Sequence, residues 1–304
     1  MSSAPLNTSG HQRGTGLKVV SGVSSADLAA KLSRFLNAPV VNVESKRFPD
    51  GESYVRVVGA VAGEEVVLVQ GLHPPQDTHL TQLLLLADCL NDLGASSIRA
   101  VVPYMAYARQ DRRFRDGEAV SILTVLKLLK TVGVSELITV NIHSPWILEK
   151  SAVPVRNVDA TGLLASYLLQ AGVEKPLVLS PGKKGLEMAA SVASVMETDY
   201  AHVESRRNLE DGRVSVSVDA DLGGREVVLV DDVISTGETM AKCVELARRK
   251  GAARVVVAAV HGLFVGSSVE KITSAGADLV MTTDTVPNPY AVASVAGLVA
   301  AQLE

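Results

Sequence analysis

Short runs of valine, leucine, isoleucine and alanine alternate along nearly the whole chain with longer segments of helical period, and few folds accept that rhythm. The short runs fall at residues 17–20, 66–69, 100–103, 137–140, 177–179, 227–230, 255–259 and 279–282. The helical segments fall at 25–36, 78–93, 121–132, 162–171, 184–196, 237–250 and 267–275, and Gly94, Gly133, Gly172, Gly251 and Gly276 sit where such helices end. Because the short runs are apolar at nearly every position, they predict strands buried on both faces. Parallel sheets covered by helices are the fold class that buries strands in this way. The expectation is an α/β protein.

The alternation pauses near Pro154 and then restarts, which predicts two domains of similar size, 15–155 and 156–290. Residues 1–14 are polar and small and read as a disordered tail, and 291–304 reads as a helix returning to the first domain. With 304 residues the chain can build two cores. The balance of 47% hydrophobic to 20% charged residues is that of a folded protein. A net charge of −4 argues against general affinity for nucleic acid or anionic membranes. No apolar run approaches the ~20 residues that span a bilayer, and the N-terminus lacks a signal-peptide core, so the expected location is cytoplasmic. Cys89 and Cys243 lie in apolar helical patterns and read as reduced, buried thiols.

The sharpest chemistry lies at residues 227–239, Val-Val-Leu-Val-Asp-Asp-Val-Ile-Ser-Thr-Gly-Glu-Thr. A buried strand ends in Asp231 and Asp232, and a turn of Ser235, Thr236 and Gly237 opens a helix. Ligands of parallel sheets bind beyond the carboxyl ends of strands, and a helix N-terminus stabilises a phosphate. The hydroxyls of Ser235, Thr236 and Thr239 can add hydrogen bonds, while the acid pair suits ribose hydroxyls or a magnesium ion. The plainer alternative is that Ser235 or Thr236 merely caps the helix.

This segment resembles the signature of the phosphoribosyltransferases and of the phosphoribosyl pyrophosphate synthetases. Three stretches of the first half resemble only the synthetases, or ribose-phosphate pyrophosphokinases, in a variety nearest the archaeal members. These are 46–56 (Lys-Arg-Phe-Pro-Asp-Gly-Glu-Ser-Tyr-Val-Arg), 102–114 (Val-Pro-Tyr-Met-Ala-Tyr-Ala-Arg-Gln-Asp-Arg-Arg-Phe), and His143 at the end of a strand. An ordinary phosphoribosyltransferase would leave them unexplained. The resemblance implies two phosphoribosyltransferase-like domains, the first binding ATP and the second ribose 5-phosphate. It implies transfer of the diphosphoryl group of ATP to the anomeric hydroxyl, giving phosphoribosyl pyrophosphate and AMP. Phe48, Asp50, Gly51, Glu52, Arg109 and Gln110 would bind ATP, Phe48 by stacking on adenine, with Asp50 and Glu52 reading this nucleotide or a neighbouring subunit's. His143 would face Mg2+. Asp231, Asp232, Ser235, Thr236, Gly237, Glu238 and Thr239 would bind ribose 5-phosphate, and Arg207 would assist catalysis. A homo-oligomer, or a hetero-oligomer with an active paralogue, is the implied assembly.

The chain departs from the family pattern at four positions. Ser205 stands where the family carries a catalytic lysine two residues before the arginine kept as Arg207. Gly182 and Asn141 each replace an aspartate, and Glu238 replaces a glycine of the phosphate loop. Serine cannot supply positive charge to a phosphoryl transition state. The sequence therefore leaves two readings: a working pyrophosphokinase, or an impaired paralogue that binds the ligands and regulates or assembles with an active partner.

Overall fold

The computed structural model describes residues 16–207 and 214–304, and the side chains of 205–207 and 214–215 lie outside that description. The expected tail at 1–14 falls outside the described residues.

The first half runs β1 (Leu17–Ser21), α1 (Ala26–Phe35), β2 (Val40–Arg47), β3 (Ser53–Val58), β4 (Glu65–Val69), α2 (Gln76–Asp92), β5 (Ser97–Val102), α3 (Ser121–Thr131), β6 (Glu136–Val140) and β7 (Val155–Val158). Its strands form one sheet in the order β3-β2-β1-β4-β5-β6-β7, parallel except for the β2–β3 hairpin. The second half runs α4 (Thr161–Gln170), β8 (Leu177–Ser180), α5 (Leu186–Val195), β9 (Tyr200–His202), β10 (Glu204–Arg207), β11 (Val214–Ser217), β12 (Glu226–Ile234), α6 (Glu238–Arg249), β13 (Arg254–Gly262), α7 (Ser268–Ser274), β14 (Leu279–Thr283), β15 (Ala291–Ala293) and α8 (Ala296–Ala300). Its sheet, β15-β14-β13-β12-β8-β9, is parallel throughout, and β10 and β11 form a separate antiparallel ribbon.

The apolar runs are buried on both faces, as their composition requires. In β12, Val227 and Leu229 pack with Met240, Cys243 and Val244 of α6. Val228 and Val230 point the other way, into Leu164 and Leu168 of α4 and Val192 of α5. The first sheet repeats this: Val66 and Leu68 of β4 face α2 and α3, while Val67 and Val69 face α1 and α8. Successive strand residues alternate sides, so a run apolar at every position feeds two cores. Each fully buried valine or leucine contributes about 1.5–3 kcal/mol.

Three local expectations change. Residues 291–304 are not one helix, because 291–293 pair with β14 as β15. Asp284 then accepts hydrogen bonds from Val295 N at 2.8 Å and Ser294 Oγ at 2.6 Å, which bends the chain into the short α8. That helix does return to the first half: Val295, Val299 and Leu303 share a core with Leu28 and Leu32 of α1. The pause near Pro154 leads into β7, the last strand of the first sheet. Cys89 is half-buried and only Cys243 is buried, its thiol pushed up to about 12 by burial. Among the described residues no helix is long and apolar enough to cross a membrane.

Candidate active site

At the carboxyl end of β12 the buried valines give way to Asp231 and Asp232, and the chain enters α6 through Gly237. Gly237 takes the left-handed conformation, φ 75°, and a Cβ there would lie 2.6 Å from Ser268 Oγ, so glycine is required. No side-chain hydrogen bond caps α6, which disfavours the reading of Ser235 or Thr236 as a mere helix cap. Burial and the charge of Asp232 push the Asp231 carboxyl up to about 7. Burial works against ionisation of Asp232, but the hydrogen bond and charge of His143, with smaller help from His261 and Asp231, together outweigh it and hold that carboxyl below its ordinary range.

His143 arrives from the other half of the molecule, three residues beyond β6. Its Nδ1 lies 2.5 Å from Asp232 Oδ2, and this bond raises the imidazole pKa against the opposing pull of burial. The loop carrying Arg109 is fastened beside it. Buried Asp111 accepts bonds from Ser144 Oγ at 2.6 Å and Trp146 Nε1 at 3.1 Å, joining the 109–111 loop to the residues after His143. A cleft of about 310 Å³ opens between the halves, lined by Arg109 and His143 from one and by Ser235, Val233 and His261 from the other. It is large enough for part of a nucleotide or sugar phosphate.

The other expected site residues divide sharply. Phe48, Asp50, Gly51 and Glu52 form the exposed tip of the β2–β3 hairpin and do not line the cleft. There Lys46 Nζ sits 5.0 Å from the centre of the Phe48 ring and 4.8 Å from that of Tyr54. Gln110 is turned to its own loop, donating to Arg112 O at 3.1 Å and Glu118 Oε2 at 3.3 Å. Thr236 and Thr239 are exposed around the start of α6. Glu238, expected beside the phosphate loop, turns outward and pairs with Lys271 at 3.5 Å. Asn141, expected as an oxygen ligand, is committed elsewhere. Its Nδ2 donates to Asp159 Oδ1 at 2.9 Å and its Oδ1 accepts from Ala160 N at 2.7 Å, which anchors the start of α4. Two of the four departures therefore point away from the cleft.

Gly182 is extended, and a Cβ built there meets nothing within 4 Å, so the aspartate it replaces would find room. Ser205 and Arg207 lie on β10, opposite Val216 and Val214 of β11, and their side chains are outside the described residues.

The cleft also holds Gln76, Asp77, Tyr104, Tyr107 and His261, to which the sequence reading gave no role. In the sequence, Pro74-Pro-Gln-Asp77 and His261-Gly262 count only as stretches that also fit the family resemblance. Tyr107, at φ 66°, donates its hydroxyl proton to Asp77, which ties the Arg109 loop to the start of α2.

Residues 17–133 match the N-terminal domain of ribose phosphate pyrophosphokinase, and 153–289 match the phosphoribosyl transferase domain. A ribose-phosphate pyrophosphokinase of Sulfolobus acidocaldarius is 40% identical over 271 residues, covering 88% of this chain and 93% of the relative. One from Methanothermobacter thermautotrophicus is 39% identical over 280 residues, covering 91% and 96%. The crystal structure of phosphoribosylpyrophosphate synthetase from Mycobacterium smegmatis superposes with a TM-score of 0.87 at 30% identity, covering 95% of this chain and 98% of that one.

Proposed function

The chain belongs to the ribose phosphate pyrophosphokinase family, and from that premise we propose that its cleft transfers the diphosphoryl group of ATP to the anomeric hydroxyl of ribose 5-phosphate. The observation that carries the reading is the His143–Asp232 hydrogen bond. It joins the half expected to hold the nucleotide to the acid pair expected to hold the sugar. In this reading the turn 235–239 holds the 5-phosphate at the start of α6, and Asp231 and Asp232 take the ribose hydroxyls. Arg109 offers its guanidinium fork to the ATP phosphates. The anomeric oxygen attacks the β-phosphorus, the bond from that phosphorus to the α,β-bridging oxygen breaks, and AMP leaves. Alignment of that oxygen and positive charge around the phosphoryl oxygens are what the protein supplies.

The residues fit a magnesium ion. Asp231 and Asp232 are adjacent carboxylates, and burial first and the charge of Asp232 second raise the Asp231 pKa, a penalty that a cation relieves. Magnesium is held by one or two carboxylates with substrate phosphates rather than by an all-protein cage. Among the described residues no group of three or more His, Cys, Asp or Glu forms such a cage. His143 and one carboxylate of the acid pair, together with substrate phosphates, are the groups proposed to hold it, and when bound it would neutralise charge on the transferring phosphates.

Phe48, Asp50, Gly51 and Glu52, on an exposed tip, fit the nucleotide site of a neighbouring copy better than their own. This favours a homo-oligomer. Ser205 and Gly182 keep a second reading in play, a chain that binds both ligands but turns over slowly. A coupled assay for AMP release, on protein made without any other synthetase, separates the two. The working enzyme shows turnover that Ser205→Lys with Gly182→Asp changes only modestly. The slow paralogue shows only trace turnover until that pair of changes raises it by about two decades or more.

A further inference from the structure

We propose that His261 is a positioning residue: its imidazole bolts the strand end that carries His143 to the strands that carry Asp231 and Asp232. The proposal rests on the reading of the cleft as the transfer site, and its own geometry is as follows.

His261 is 2% exposed and lies on β13, where it registers opposite Val233 of β12. Its backbone is thus fixed one residue beyond the acid pair on the neighbouring strand. Its side chain crosses to the other half of the molecule, where Nε2 lies 3.1 Å from Val140 O and 3.4 Å from Asn141 O. Those carbonyls end β6, two and three residues before His143. A carbonyl can only accept, so Nε2 carries the proton. Nδ1, left as an acceptor, lies 2.8 Å from Thr285 Oγ1, whose one proton is shared between it and Val260 O at 2.9 Å. The ring of Tyr104, which lines the cleft, packs edge-on at 5.1 Å and closes the remaining side.

These links form a closed circuit. Asp232 is bonded to His143, His143 follows Asn141 along the backbone, the 140–141 carbonyls are bonded to His261, and His261 is held by the sheet beside Asp232. A circuit with no slack fixes the distance between the two halves at the point where the reacting groups meet. Misplacement of reacting groups by about 1 Å can cost on the order of a hundredfold in rate. His261 touches neither reacting atom in this account. It acts through the placement of His143.

Two substitutions separate placement from simple stability. Glutamine carries its amide nitrogen near the position of the imidazole Nε2 and can still donate to Val140 O. Asparagine reaches only as far as the Nδ1 position and leaves the crossing bond unmade. His261→Gln is expected to keep kcat within about threefold, and His261→Asn to lower it by ten- to a hundredfold, with KM for both substrates within about threefold. Amide hydrogen exchange of residues 141–143 in the ligand-free protein supplies a reading independent of catalysis. It should rise at least tenfold in the Asn variant and stay near native in the Gln variant. Equal kcat in the two variants at equal folded fraction, or unchanged exchange at 141–143 in the Asn variant, overturns the proposal. If the Asn variant does not fold, the Gln variant decides: native-like kcat and exchange support the bolt, and a tenfold loss with native stability overturns it. If the unaltered chain shows no AMP release, the transfer reading fails on its own, and exchange still judges the role of His261.

Discussion

The two sides of the cleft are built in opposite ways. The side proposed to hold the sugar is one unbroken segment, a buried strand, two carboxylates, a glycine-hinged turn and a helix, all within 226–249. The side proposed to hold the nucleotide is assembled from separate pieces: Arg109 on one loop, His143 on another, and Phe48, Asp50 and Glu52 on a hairpin tip outside the cleft. A segment whose residues are adjacent in the chain is positioned by its own sheet. A site gathered from loops needs ties such as Asp111–Ser144, Tyr107–Asp77 and the bond of His261 to Val140. The contrast predicts that changes on the sugar side act locally and steeply, whereas those on the nucleotide side act through geometry or through a second subunit.

The steepest test is Asp232→Asn, which removes the charge that pairs with His143. Turnover should fall by about two to three decades with little loss of fold, read as kcat beside a thermal melt. An effect confined to stability would break the contrast at its strongest point.

Acid should loosen both halves together. Burial and neighbouring His79 hold His73 of the first half at about 4, and burial holds His261 of the second half at about 4, against 6.5 for an unperturbed histidine. Between those values each is neutral in the fold and charged in the unfolded chain. Their contribution is therefore complete above pH 6.5 and lost as pH falls toward 4, roughly 3 kcal/mol for fully buried His261 and less for His73, which solvent partly screens. Denaturant melts at pH 7 and pH 4.5 should show the loss, and His73→Gln should shrink it. An unchanged slope in that variant would remove His73 from the account.

A smaller effect is expected at the hairpin. Phe48→Ala should raise KM for ATP by about three- to tenfold and leave kcat nearly unchanged, as loss of one stacking contact requires. Mixed with the Asp232→Asn variant, it should regain part of the native KM for ATP if the tip serves a neighbouring copy. No regain would return the tip to its own cleft. The smallest effect is Glu238→Gln, which should shift stability by no more than ~0.5 kcal/mol and leave turnover unchanged, because Glu238 faces Lys271 rather than the turn.

The same contrast explains what could be read before any coordinates. The apolar runs and the 227–239 segment disclose their strands and their helix, because that information is local. The strand Val40–Arg47 stands apart from the apolar runs, since only Val41 of its residues is buried and most of the others face solvent in a hairpin. The outward turn of Glu238 and the commitment of Asn141 to Asp159 depend on partners 33 and 18 residues away, which no spacing reveals. His261 is the clearest case, for its partner carbonyl is 121 residues distant. Spacing alone shows such a residue only as a histidine after a strand.

Phosphorus NMR of the purified chain with magnesium, ATP and ribose 5-phosphate tests the central claim most directly. The account predicts AMP and a ribose-linked diphosphate growing in equal amounts, dependent on the sugar and lost with Asp232→Asn. ADP and free phosphate in their place, or products that persist unchanged in that variant, would contradict it.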